Sequence, residues 1–175
     1  MKNIFIGTVM LILLASLSSC SAGKRATRLA NHQAVMSRVA GSKSINPEQK
    51  LDTLITSFVG MMNEALNIAN PKKGVQYVKK YSGDNQQNIR QIVEEFATYS
   101  NSLEKGQKVS MGIGMLLKPH IGDMIRLVPK FIRKYQRYKT VMDITRQFKN
   151  QLKPFGIKGL TDDLFEKAAG SINNK

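Results

Sequence analysis

Residues 46–68, which read NPEQKLDTLITSFVGMMNEALNI, decide the fold. Asn46 followed by Pro47 is typical of a helix start, because an asparagine side chain caps free amides and proline suits the first turn. At about 100° per residue, the apolar side chains fall on one half of the helix and the polar ones on the other. The segment therefore predicts a core helix with a solvated back, in which the methionines pack rather than form a binding groove. The apolar half consists of Leu51, Leu54, Ile55, Phe58, Val59, Met61, Met62, Leu66 and Ile68.

Helical spacing continues through the rest of the chain. Residues 71–81 predict a short helix that Ser82-Gly83-Asp84 ends, with Asp84 capping a further helix that reaches Leu103. Residues 161–170 predict a final helix, and no run of residues alternates as a half-buried strand does. We therefore expect an all-α fold, a compact bundle of about five or six helices formed by residues 46–175 as one domain.

The segment between Gly106 and Pro119 combines a dense apolar run with Gly112-Ile113-Gly114. It does not predict a phosphate-binding loop, because no third glycine follows in register and no strand precedes it. Glycines in an apolar helix favour the close approach of a neighbouring helix, or a bend. The functional alternative is a hairpin that touches a membrane.

The first twenty residues have the layout of a secretion signal: one lysine, an apolar run from Ile4 to Ala15, and small residues before Cys20. The apolar run is short of the roughly twenty residues that a membrane-spanning helix needs, so cleavage is favoured over a retained anchor. Leu17-Ser18-Ser19-Cys20 resembles the lipobox of bacterial lipoproteins. The resemblance implies that residues 1–19 are removed and that Cys20 carries a diacylglycerol and a further acyl chain such as palmitate.

Lipidation would hold the protein at a membrane, since two or more acyl chains anchor a protein stably. Ser21 stands where an aspartate would favour retention at the inner membrane. The resemblance therefore implies the periplasmic face of the outer membrane, with the inner membrane and the cell surface as alternatives. Residues 20–45 are expected to form a lipidated basic tether or arm, with a helix between Arg25 and Ala40, and a partly ordered arm is favoured over a docked helix.

The whole chain has a net charge of +15, and removal of residues 1–19 would take only Lys2 with it, leaving +14. Such a balance favours binding to anionic surfaces. For an exported protein these are phospholipid head groups, lipopolysaccharide phosphates, cell-wall polymers or an acidic envelope protein, and not nucleic acid.

Much of the excess charge lies between Lys118 and Lys153, where ten basic residues face only Asp123 and Asp143. Pro129 is expected to kink this stretch or to split it into helices 119–127 and 130–152. The second helix is expected to bury a seam, and four cations on another face, at i, i+3, i+4 and i+7, form a candidate site for an anion or an acidic partner. The alternative is an ordinary solvated face. The seam consists of Phe131, Tyr135, Tyr138, Met142, Thr145 and Leu152, and the cations are Lys130, Arg133, Lys134 and Arg137.

Residues suited to catalysis or metal binding are few. Cys20 is the only cysteine and His32 and His120 are the only histidines, so we expect no metal centre and no cofactor. Glu94 and Glu95 diverge by about 100° on a helix and are expected to be solvated. The sequence therefore favours a non-catalytic, lipid-anchored envelope protein that acts as an accessory or scaffold subunit. A periplasmic lipid or amphiphile carrier and a cell-wall or lipid hydrolase are the alternatives.

Overall fold

The computed structural model describes residue 23 and residues 25–152, in which all regular structure is helical. No strand occurs in this part of the chain, so the predicted all-α class is confirmed. Cys20 and the predicted helix at 161–170 lie outside the described residues. None of the described helices has both the length and the apolar content that a bilayer span requires. The helices are α1 (25–41), α2 (Pro47–Asn67), α3 (Pro71–Ser102), α4 (Lys105–Leu116), α5 (Pro119–Tyr135) and α6 (Lys139–Leu152).

The chain divides into two compact units, with the boundary after Val35, inside α1. In the first unit, the Thr27 hydroxyl donates to the carbonyl of Gly23 at 3.0 Å. The second unit contains the end of α1 and helices α2 to α6, and α2 packs mainly against α3 and α5.

Helix α2 forms as the sequence predicts. The Asn46 side chain accepts a hydrogen bond from the amide of Gln49 at 2.8 Å, and Pro47 occupies the first turn. All of the predicted apolar half is buried except Leu66, which is half-buried. Met61 and Met62 are fully buried, which confirms that they pack in the core.

Helix α3 is one continuous helix of 32 residues, so the predicted break at Ser82-Gly83-Asp84 is wrong. Tyr81 and Ile89 are buried on one side of this region, and their burial outweighs the roughly 1 kcal/mol that a helical glycine costs. Asp84 does not cap a helix but pairs with Lys80 at 2.9 Å across one turn.

Helix α5 continues through Pro129 to Tyr135, so the predicted split after residue 127 is also wrong. Val128, Phe131 and Ile132 are buried on either side of the proline, and this packing maintains the helix despite the missing amide. The chain turns instead at residues 136–138, where the amide of Tyr138 donates to the carbonyl of Tyr135 at 2.8 Å.

The predicted seam is therefore divided between two helices. Phe131, Tyr135 and Thr145 are buried as expected, whereas Tyr138 and Met142 are only half-buried. Helix α6 buries Val141, Thr145 and Phe148, and the Phe148 ring stacks on Phe58 of α2 with centroids 3.6 Å apart.

A buried lysine joins the end of α1 to α2 and α3. Lys50 is 3% exposed, and its Nζ donates to the Ala40 carbonyl at 3.0 Å and to the carboxylate of Glu95. Gln91 also donates to the Ala40 carbonyl, at 2.9 Å. Glu95 is thus not the solvated residue that the sequence predicts, and the hydrogen bond from Lys50 lowers its pKa. Residues 36–41 are a docked helix end, because these bonds satisfy a carbonyl at the C-terminus of α1.

The glycines of helix α4 are not contact points for another described helix. A Cβ added at Gly112 or Gly114 would meet no atom within 4 Å, so the expected close approach of another helix at these glycines is wrong. Met111 and Met115 point inward and are buried. The helix begins with a capping box between Glu104 and Gln107.

Candidate functional site

Three of the four predicted cations are exposed and have no ion pair among the described residues. Lys130 and Arg133 lie on α5, and Arg137 lies in the turn between α5 and α6. The two nearby carboxylates are already engaged, Asp123 by Arg126 at 2.9 Å and Asp143 by cations of α6. The three exposed cations, which we call the basic surface, are thus left without a compensating carboxylate in the part of the chain that the structure describes.

The fourth cation, Lys134, has a different role. Its Nζ donates to the carbonyls of Leu66 and Ile68, both at 2.7 Å, and to that of Ala65 at 3.3 Å. These carbonyls lie at the C-terminus of α2, which has no basic residue in its own last turn. Lys134 therefore caps α2 in the way that cations stabilise helix C-termini, and burial lowers its pKa.

Tyr135 completes the same junction. Its hydroxyl donates to the carbonyl of Ala65 at 2.6 Å, and its ring lies so close to Gly74 of α3 that a Cβ there would overlap it. Burial raises the pKa of Tyr135 to about 12. The sequence identifies neither this contact nor the Lys134 cap, because both join residues more than sixty positions apart. The only signal is that α2 ends without a cation of its own.

An open groove of about 550 Å³ lies between the start of α2, the end of α3 and α4. Met111 and Met115 line it on the α4 side, and Glu48 and Asp52 line it on the α2 side. The Tyr99 hydroxyl donates to Glu48 at 2.8 Å, and this bond raises the pKa of Tyr99. The groove combines apolar and carboxylate groups but opens to solvent, unlike an interior cavity.

His120 lies beside a carboxylate, which the sequence did not predict. Its imidazole is 11% exposed, and Nε2 lies 3.3 Å from Asp52 without an aligned hydrogen bond. Burial lowers the pKa of His120, although Asp52 opposes this effect. Among the described residues, no serine or threonine hydroxyl hydrogen-bonds to the imidazole. In the described part of the chain the pair therefore has no serine or threonine beside it to serve as a nucleophile.

The described residues contain no group of three or more histidine, cysteine, aspartate or glutamate side chains that could hold a metal ion. Because the basic surface carries only lysine and arginine, its chemistry is that of binding anions. No protein-family model, no curated protein and no solved structure matches this chain.

Proposed function

We propose that the chain is a non-catalytic, lipid-anchored protein of the cell envelope, held by Cys20 on the periplasmic face of the outer membrane. In this role it acts as an accessory or scaffold subunit, and its basic surface binds an acidic envelope protein or anionic lipid. The attachment rests on the lipobox-like residues 17–20 and on Cys20 being the only cysteine.

The observation that carries the binding role is the uncompensated charge of Lys130, Arg133 and Arg137. Their nearest carboxylates in sequence, Asp123 and Asp143, are paired with other cations. An external anion would be attracted by all three charges. At physiological salt this attraction requires that the anion come within roughly 8 Å of them.

Mass spectrometry of the protein purified from its native membrane tests the attachment. We expect a mature N-terminus at Cys20 carrying acyl chains. An intact leader, or a Cys20 without fatty acids, would remove the envelope role.

Cross-linking in intact cells tests the basic surface. A photoreactive residue is placed at Gln136, beside the cations, and captured material is compared with that from Lys130→Gln/Arg133→Gln/Arg137→Gln. We expect the triple variant to lose capture of one envelope protein. The matched control, Arg90→Gln/Arg126→Gln/Lys139→Gln, removes the same charge from cations that are paired with carboxylates. Equal loss in both variants would mean that net charge, and not this surface, causes the capture.

An amphiphile carrier is the second candidate, and the groove between α2, α3 and α4 favours it. Its volume suits a small ligand, and its methionine and carboxylate walls suit an apolar body with a cationic head. A fluorescent long-chain amine should bind with an affinity that Met111→Lys abolishes. Unchanged binding would exclude the groove as the carrier site.

A further inference from the structure

Helix α4 is apolar on two opposite sides. Met111 and Met115 are buried on the inner side. On the other side is a row of four exposed apolar residues within about 100° of the helix circumference, which we call the outer stripe. These four are most of the large apolar side chains that are exposed among the described residues. They are Val109, Ile113, Leu116 and Leu117, which are 57%, 55%, 46% and 80% exposed.

Both charged side chains of α4 are lysines. Lys105, Lys108 and Lys118 are exposed, and residues 105–122 contain no carboxylate. Lys105 lies about 40° from Val109 around the helix, at the edge of the stripe. Lys108 lies about 80° beyond Leu116, towards Met115, and Lys118 lines the groove, with its Nζ 3.9 Å from Asp52. A surface that covers the stripe would therefore be apolar in its centre and anionic where it meets Lys105.

We propose that the outer stripe inserts into the interface of an anionic phospholipid bilayer, with α4 lying in the membrane plane. An aliphatic row bordered by lysines is the pattern of interfacial helices, and each lysine near an anionic surface strengthens binding. A protein partner fits less well. The stripe contains no aromatic residue or arginine, the types that dominate protein interfaces, and lysine is depleted in such interfaces.

The glycines of α4 agree with this role. Among the described residues no helix packs closely on Gly112 or Gly114, and each glycine lowers the intrinsic stability of α4. A helix with weak propensity and few internal contacts gains order when a membrane covers its apolar side. This inference concerns a different surface from the basic surface and does not require that Cys20 be acylated.

Site-specific fluorescence quenching in vesicles tests the insertion. The full chain carries Cys20→Ser, and the single new thiol of Ile113→Cys or Leu117→Cys is labelled with a polarity-sensitive dye. The control is Gln87→Cys, at an exposed position of α3. The proteins are reconstituted into vesicles of phosphatidylethanolamine and phosphatidylglycerol in about a 7:3 ratio, doped with a lipid that carries a shallow nitroxide.

We expect the labels at 113 and 117 to be quenched about threefold more strongly than the label at 87, because only the former lie among the acyl chains. Lys105→Glu/Lys108→Glu should reduce this quenching about twofold while the helical content stays unchanged. Equal quenching at 113 and 87 would overturn the proposal. Quenching that Lys105→Glu/Lys108→Glu left unchanged would overturn it too. Disulfide-linked dimers of Leu117→Cys without lipid quenching would also overturn it, because a second copy would then cover the stripe. Since every variant lacks the Cys20 thiol, these outcomes are independent of lipidation.

Discussion

Helices α2 and α4 are built from similar apolar residues, yet their second faces differ. The apolar half of α2 packs against α3 and α5, and its opposite half is polar. Helix α4 buries two methionines and carries the apolar outer stripe on the opposite side. Apolar residues at helical spacing thus predict a helix in both regions. Whether these side chains are buried depends on how many helices pack around that helix.

The largest expected difference comes from the same substitution in both regions. Leu54 of α2 is fully buried, whereas Leu117 is 80% exposed. Leu54→Ala should lower the free energy of unfolding by about 3 kcal/mol, because it removes buried methyl groups and leaves a cavity. Leu117→Ala should change it by less than about 0.5 kcal/mol. Urea denaturation followed by circular dichroism measures both, and similar losses would mean that the outer stripe is already covered in the isolated protein.

Two lysines provide the next contrast. Lys50→Met should cost about 2 kcal/mol, because Glu95 and the Ala40 carbonyl lose a charged donor and keep only Gln91. Lys108→Met, at an exposed lysine of α4, should be nearly neutral in the same urea denaturation.

The pH dependence of stability distinguishes this ion pair from simple packing. Lys50 lowers the pKa of Glu95 in the folded state, so the stabilisation is present above pH 4.5 and is lost as the pH falls through the lower folded value. Lys50→Met should therefore show a smaller loss of stability on acidification than the parent chain. If acidification destabilised Lys50→Met as much as it destabilises the parent chain, the pairing of Lys50 with Glu95 would be contradicted.

The sequence predicts the core well where one apolar face and a cap agree. The burial of α2 and its start at Asn46 follow from local spacing and from a side chain that caps its own helix. Local spacing could not show whether the helices end at Gly83 and Pro129, as the sequence predicts, or continue through them. Their local cost is real, but the burial of Tyr81 and Phe131 by distant helices exceeds it.

Two glycines should respond with opposite signs. An alanine Cβ at Gly74 would overlap the Tyr135 side chain, whose hydroxyl is bonded to Ala65. Gly74→Ala should therefore cost about 1.5 kcal/mol through overpacking. Gly114→Ala has open space and should add about 0.5–1 kcal/mol by restricting the unfolded chain. Thermal unfolding gives both signs, and destabilisation by Gly114→Ala would restore the idea that a helix packs closely there.

The candidate site was predictable only in part. Helical spacing placed Lys130, Arg133 and Arg137 on one face together with Lys134, and in the structure these three have no ion pair among the described residues. The same spacing could not separate Lys134 from them, because its partners are carbonyls at the end of a helix far away in sequence. A sequence shows that a helix has no cation in its own last turn. It does not show which distant residue caps the carbonyls at that end.

The smallest expected change in stability distinguishes Lys134, which caps α2, from Lys130, which belongs to the basic surface. Lys134→Met should lower the free energy of unfolding by about 1 kcal/mol, because the C-terminal carbonyls of α2 lose a charged donor. Lys130→Met, one turn away and exposed, should leave stability unchanged within about 0.3 kcal/mol. In the cross-linking assay the order reverses: Lys130→Met should weaken capture, while Lys134→Met should retain it wherever the protein remains folded. If Lys134→Met instead abolished capture without any loss of stability, Lys134 would belong to the basic surface and the cap would contribute little.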